Sequence, residues 1–308
     1  MVALLFFVTY GKGRISGNTL RLKPSVIFAF LPLNKKKLTM KKLKIFGLLA
    51  VGIVLSSCNS GKKEDPNYIK VGITSGPEQE IAETAKKVAK EKYNLEVELV
   101  AFNDYVVPNE ALHNGDIDAN AFQHVPYLNE QSKQRGYKLA VVGNTFVYPI
   151  VAYSKKIKNI SELQNGSTIV IPNDPTNGGR SLLLLQKNGL LKLKDGIGLL
   201  PKVTDIVDNP KQLKILEIEA PQLPRVLDDK EVVLAIINNN FTAQAGLDTE
   251  KQGILKEDKN SPYVNVIVSR EDNKNSEKVK KFVKAYESDE VAKKAEEIFK
   301  GGAIKGWN

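Results

Sequence analysis

The chain has 308 residues, with 45 Lys and Arg against 35 Asp and Glu, and a single cysteine. Ten of the basic residues and none of the acidic ones precede residue 58, so the formal charge of +10 belongs to the leader and the rest of the chain is balanced. A balanced domain lacks the basic excess that nucleic-acid binding requires, and one cysteine excludes an internal disulfide.

Residues 1–39 show neither helix nor strand period and contain no acid. They precede a complete signal with its own methionine, and are read as an upstream extension from a misassigned start codon. Their apolar pieces, 2–8 and 26–33, are too short to span a bilayer. Residues 40–57 carry a basic start, an apolar run and small residues before Cys58, which is a secretory signal. Leu55-Ser-Ser-Cys58 resembles a bacterial lipobox; that resemblance implies cleavage before Cys58 and acylation of its thiol. More than one acyl chain gives stable anchoring where one alone is marginal. Residues 58–67 are polar and Pro-punctuated, as a tether requires.

From Tyr68 onward strand and helix patterns alternate. Residues 68–74 alternate apolar and polar, and 78–92 repeat Ile81, Ala85, Val88 and Ala89 on one helical face. Residues 95–101 read as the next strand, followed by a helical stretch ending near Gly115. Further strands are predicted at 118–122, 138–145, 168–171, 214–218, 232–237 and 263–269, and a helix at 275–286. This order predicts an α/β fold with mostly parallel mixed sheets flanked by helices. The extended run 147–153 and the polar, turn-rich run 248–261 read as two crossings between lobes. Lobe 1 is therefore expected at 68–148 and 251–308, with lobe 2 inserted at 149–250 and a ligand cleft between them.

Seven stretches, in order, resemble one family: FNDYVVPNEAL (102–112), GDIDANAFQH (115–124), GNTFVYP (143–149), PNDPTN (172–177), GRSLLLL (179–185), EAPQLPR (219–225) and SPYVN (261–265). They are similar to the methionine-binding lipoproteins of bacterial methionine ABC importers, the MetQ/NlpA family. The resemblance runs from about residue 70 to 307. It implies a two-lobed periplasmic-binding-protein fold of type II-like form, a monomer on a lipid anchor, and a free amino acid held in the cleft. Delivery to a membrane permease with its ATPase subunit follows from the same resemblance, in the cell envelope and without a cofactor.

Arg180 stands behind two glycines at the start of a Leu-rich helix. For an amino-acid ligand it is the expected partner of the α-carboxylate, gripped bidentately, with the helix N-terminus adding N–H groups. Gly178 and Gly179 allow close backbone approach, and Thr176 or Asn177 is expected to cap the helix. On periodicity alone Arg180 reads instead as a solvated surface residue or one paired with a structural carboxylate such as Asp174; the family resemblance tips it to binding. Amide oxygens of Asn238 and Asn265 are the expected acceptors of the ligand's ammonium group; Asn239 and Asn240 are alternatives to Asn238 in a run of three amides, and satisfying loop backbone is the alternative for Asn265. Phe122, His124, Tyr127, Tyr105 and Tyr148 are expected to wall the thioether pocket, since aromatic rings favour sulfur contacts. Core packing for Phe122 and Tyr148, and a satisfied structural histidine for His124, are the alternatives.

Two histidines, a cysteine assigned to lipid and no phosphate loop or metal-ligand spacing argue against an enzyme on this scaffold. Asp116 and Asp118 near His124 have the spacing of a strand entry and are not read as a metal site. Binding of another small amino acid or a methionyl dipeptide, or a surface lipoprotein with an interaction role, are the competing functions.

Overall fold

The computed structural model describes residues 7–9, 25–27, 65–258, 261–300 and 302–308. The strands β1 (Phe7–Thr9) and β2 (Ser25–Ile27) pair antiparallel, in a stretch whose sequence shows no strand period because three residues are too few for alternation to register. The signal at 40–57, Cys58 and the tether as far as residue 64 lie outside the described residues. The end of the expected tether, 65–67, is instead a turn of the domain: Tyr68 N–H donates to Asp65 O and Glu96 N–H to Asn67 O.

From residue 64 to 308 the chain forms one compact unit. Its first part runs β3 (Tyr68–Thr74), α1 (Pro77–Tyr93), β4 (Glu96–Phe102), α2 (Val107–Asn114), β5 (Ala119–His124), α3 (Val125–Arg135) and β6 (Leu139–Val147). The middle holds β7 (Val151–Tyr153), β8 (Thr168–Pro172), α4 (Pro175–Lys187), β9 (Lys192–Leu193), β10 (Ile206–Asp208), β11 (Lys214–Ile218), β12 (Val232–Ile237), α5 (Asn239–Gln244), α6 (Thr249–Gln252) and β13 (Gly253–Lys256). It ends with β14 (Val264–Arg270), α7 (Glu277–Tyr286), α8 (Asp289–Phe299) and β15 (Ile304–Lys305).

Two sheets result. One has the order β15-β6-β14-β5-β3-β4, the other β11-β8-β12-β7-β13. Each is parallel over one half only. The ladders β3–β4, β3–β5, β11–β8 and β12–β8 are parallel; those involving β6, β7, β13, β14 and β15 are antiparallel. The parallel share is smaller than helix–strand alternation suggests, because the strands that carry the chain between sheets run back against their neighbours. β13 also corrects the lobe boundary: it pairs with β7, so the return to the first sheet begins after residue 256, not at 251. The segment 248–261 looked turn-rich because α6 and β13 are four residues each, too short for a period.

Burial follows the strand period of two. In β14, Ile267 faces the core formed by Ile69, Ile81, Phe146 and Phe282 under α1, α7 and α8, while Val266 and Val268 face Leu112 and Leu128 on the opposite side. In β8, Ile169 and Ile171 pack with Leu182 and Leu185 of α4, and Val170 with Ala235 and Phe241. The first link between sheets is Tyr148-Pro149-Ile150, the second begins at Glu257. They lie side by side, with Glu257 N–H donating to Ile150 O (3.1 Å).

Candidate functional site

Between the two sheets lies a small cavity of about 30 Å³, in the interlobe position that small-molecule sites favour. All nine predicted residues line it: Tyr105, Phe122, His124, Tyr127, Tyr148, Asn177, Arg180, Asn238 and Asn265. Asn239 and Asn240, the alternatives to Asn238 in its run of three amides, line it too, as do Glu78 and Gln123, which carry no site signal in the sequence.

The arginine is differently placed from expectation. Helix α4 begins at Pro175 and its cap is Asp174, whose Oδ1 accepts from Thr176 N–H (3.2 Å) and Asn177 N–H (2.9 Å). Neither Thr176 nor Asn177 is the cap, and Asp174 is no partner of Arg180. The N-terminal N–H groups of α4 are already taken, so they add no anion site. Arg180 lies in the second turn, 4% exposed. Its Nε donates to Glu257 Oε1 (2.9 Å), and Nη2 donates to Tyr148 O (2.9 Å) and pairs with Glu257 Oε2. The guanidinium also lies 4.4 Å over the Tyr263 ring. Among the described residues none accepts from Nη1. A ligand carboxylate would therefore meet the Nη1 donors alone rather than a free bidentate fork, since Glu257 holds the other edge.

Gly178 and Gly179 do admit close backbone, but of the protein itself. A Cβ on Gly178 would lie 2.8 Å from Pro172 O, and one on Gly179 2.9 Å from Leu199 O.

The amides form a connected row. Asn177 Nδ2 donates to Asp174 Oδ2 (2.9 Å), and its Oδ1 accepts from Asn238 Nδ2 (2.9 Å). His124 Nδ1 accepts from Tyr127 N–H (3.2 Å), which caps α3 and fixes the tautomer: Nε2–H donates to Asn177 Oδ1 (3.3 Å). Burial, then the nearby Arg180 charge, holds the imidazole down to about 3, so it is neutral. The Asn177 oxygen is thereby satisfied by protein. Asn238 Oδ1 is buried with no protein partner, as is Asn240 Nδ2, whose own Oδ1 accepts from Tyr105 OH (2.6 Å). Buried polar atoms without partners are rare; here an unmet acceptor and an unmet donor share one cavity. Asn265 Nδ2 donates to Phe122 O (3.1 Å), the backbone role that its sequence position left open.

The aromatic wall is continuous. Tyr105 stacks on Phe122 at 6.0 Å and meets Tyr127 edge-on at 6.0 Å; Phe122 meets Tyr127 at 6.2 Å. Phe122 and His124 share this wall although alternation would also separate Gln123 from it. The β5–β14 register slips between Val266 and Ile267, and such a bulge re-aims the strand end. Gln123 is held from behind by Asn109 through bonds of 2.8 and 2.7 Å.

Glu78 is the buried carboxyl of the cavity. It sits in the first turn of α1, 6% exposed, and accepts from Thr74 Oγ1 (2.7 Å). Burial pushes it up to about 7. Asp118, near the strand entry, is tied to Lys70 N–H and Lys278 Nζ at 2.9 Å each, and among the described residues no group of three or more metal-ligating side chains assembles.

The model of the NlpA lipoprotein family matches residues 69–307. The D-methionine-binding lipoprotein MetQ of Escherichia coli (strain K12) is 64% identical over 269 residues, 86% of this chain and 99% of that protein. The crystal structure of the methionine binding protein MetQ is 68% identical, with a TM-score of 0.78 over 79% of this chain and 100% of that one. A nutrient binding protein from Burkholderia cenocepacia bound to methionine is 49% identical, with a TM-score of 0.75 over 78% of this chain and 100% of that one.

Proposed function

The chain belongs to the NlpA lipoprotein family, and from that membership and the chemistry of the cavity we propose that it is a substrate-binding lipoprotein that captures methionine for an ABC importer. The observation that carries this reading is the meeting, in one cavity, of Arg180, an unmet amide acceptor, an unmet amide donor and an aromatic wall. An α-amino acid with an apolar, polarisable side chain satisfies all four.

In this reading Arg180 Nη1 takes the ligand's carboxylate and Asn238 Oδ1 accepts from its ammonium group. Asn240 Nδ2 donates to a remaining carboxylate oxygen. Tyr105, Phe122, Tyr127, His124 and Tyr148 enclose the thioether, whose sulfur contacts with rings are worth about 0.3–1.5 kcal/mol each. Asn177 orients Asn238 and His124, and Asn265 braces the wall at Phe122. The protein performs no chemistry on its ligand. Lipid on Cys58 holds it, as a monomer, at the outer side of the membrane, where the permease and its ATPase subunit receive the methionine.

Calorimetric titration of the refolded protein with L-methionine, D-methionine and a panel of other amino acids tests this. Methionine is expected to bind, and the enantiomers to be ranked directly. Binding of a different amino acid or of a methionyl dipeptide, with none of methionine, overturns it.

A further inference from the structure

Arg180 is neutralised within the protein by Glu257. On the opposite wall the balance is different. Among the described residues lining the cavity, Glu78 is the one acidic side chain, and its one hydrogen bond is from Thr74 Oγ1.

The groups around it, element by element, offer no cation. From the loop before α2 comes Tyr105, from the first link Tyr148 and from α7 Tyr286, each a phenol held neutral by burial. Of the lysines of α7, Lys278 pairs with Asp118, Lys281 with Asn67 and Lys280 with Glu277, and Lys284 is exposed on the surface. On α8, Lys294 pairs with Glu80 and Glu290 with Lys92, both on the outer face of α1. From α5 the neighbours are the amides of Asn239, Asn240 and Gln244. Across the cavity His124 is neutral and Arg180 is paired. A carboxylate without a cation in such surroundings is disfavoured, so below neutral pH Glu78 keeps its proton until a positive charge arrives.

We propose that Glu78 is the anionic half of the ligand site: its carboxylate takes the primary ammonium group of the bound amino acid, releasing its own proton to solvent as the ligand enters. The inference rests on the amino-acid reading above and adds a charged partner to the neutral acceptor Asn238 Oδ1. The first-turn position of Glu78 on α1 favours the ionised form once a counter-charge is present. The carboxyl O–H passes its proton to water and the ammonium pairs with the carboxylate left behind; no other covalent bond changes.

The test is methionine titration of the whole protein, repeated at one pH in buffers of different ionisation enthalpy, which counts protons directly. Between pH 5 and 6.5, about one proton is expected to leave per ligand bound. Affinity is expected to rise up to about tenfold per pH unit over that range and to level off at pH 8, where Glu78 is already ionised. Glu78→Gln is expected to abolish both the proton release and the pH slope. Wild-type protein that binds methionine with no proton exchange and a flat pH profile overturns the inference while leaving the binding function standing. The wild-type proton count decides the matter even if the variant does not fold. Failure of methionine to bind at all pH values overturns the binding function itself.

Discussion

Removing the Arg180 side chain separates two of its duties. Arg180→Ala takes away the cationic donor proposed for the ligand and leaves the half-buried Glu257 without its cationic partner. Truncating one member of a buried charge pair costs about 3–5 kcal/mol, so a lower unfolding midpoint is expected together with methionine affinity reduced by a hundredfold or more. Arg180→Lys retains charge but cannot span Glu257 and Tyr148 O together, and should fall between wild type and Ala in both measurements. The side chains that line the cavity were legible largely because motif order and residue type agreed at Arg180, Asn238 and the aromatic cluster. Glu78 and Glu257 were not. An acid in a first helical turn reads as a dipole partner, and an acid in a polar run reads as solvated surface. Only the folded chain shows that Glu78 is buried and that Glu257 is half-buried against Arg180. The same holds for Asp174, whose capping role becomes visible once Pro175 is seen to start the helix.

The helix that carries Arg180 packs with no clearance at its glycines. Alanine for glycine in a helix ordinarily stabilises by roughly 0.5–1 kcal/mol, but at Gly179 the new methyl would lie 2.9 Å from Leu199 O and 3.0 Å from Pro201 Cδ. Gly179→Ala is therefore expected to destabilise by about 1–3 kcal/mol, read as a lower midpoint in denaturant unfolding; an unchanged or higher midpoint contradicts the packing argument. Element prediction succeeded where periods were long. Strands β3, β4, β8, β11 and β12 lie within a residue or two of expectation, as do α1 and α7. Helix α3 gave little signal because Val125–Arg135 is mostly polar. Helix α8 does repeat Val291, Ala295, Ile298 and Phe299 behind Ser288, whose side chain accepts from Val291 N–H; that pattern was available and not used. β13 and β15 are too short for any periodic reading.

Across the whole molecule, bonds between residues of the two sheet systems hold the cavity shut. Tyr105 OH donates to Asn240 Oδ1, Gln244 Nε2 donates to Ser75 O (2.8 Å), and His124 Nε2–H donates to Asn177 Oδ1. Contacts confined to the closed form raise affinity without adding to the stability of either lobe. Tyr105→Phe should accordingly bind methionine up to about tenfold more weakly, with an unchanged unfolding midpoint for the ligand-free protein; an equal loss in both would assign the hydroxyl to the core instead. The two sheets also differ in how they are drawn from the chain. The strands of the five-stranded sheet all come from one continuous run, 151–256. In the six-stranded sheet β14 lies between β5 and β6, so a chain emerging N-terminus first cannot join that sheet's two halves until residue 270 has emerged. The lobe in the middle can fold first, and the lobe begun first must wait for the end of the chain. Its β5 and β6 edges stay open meanwhile, which makes this the slower and more aggregation-exposed half of the molecule.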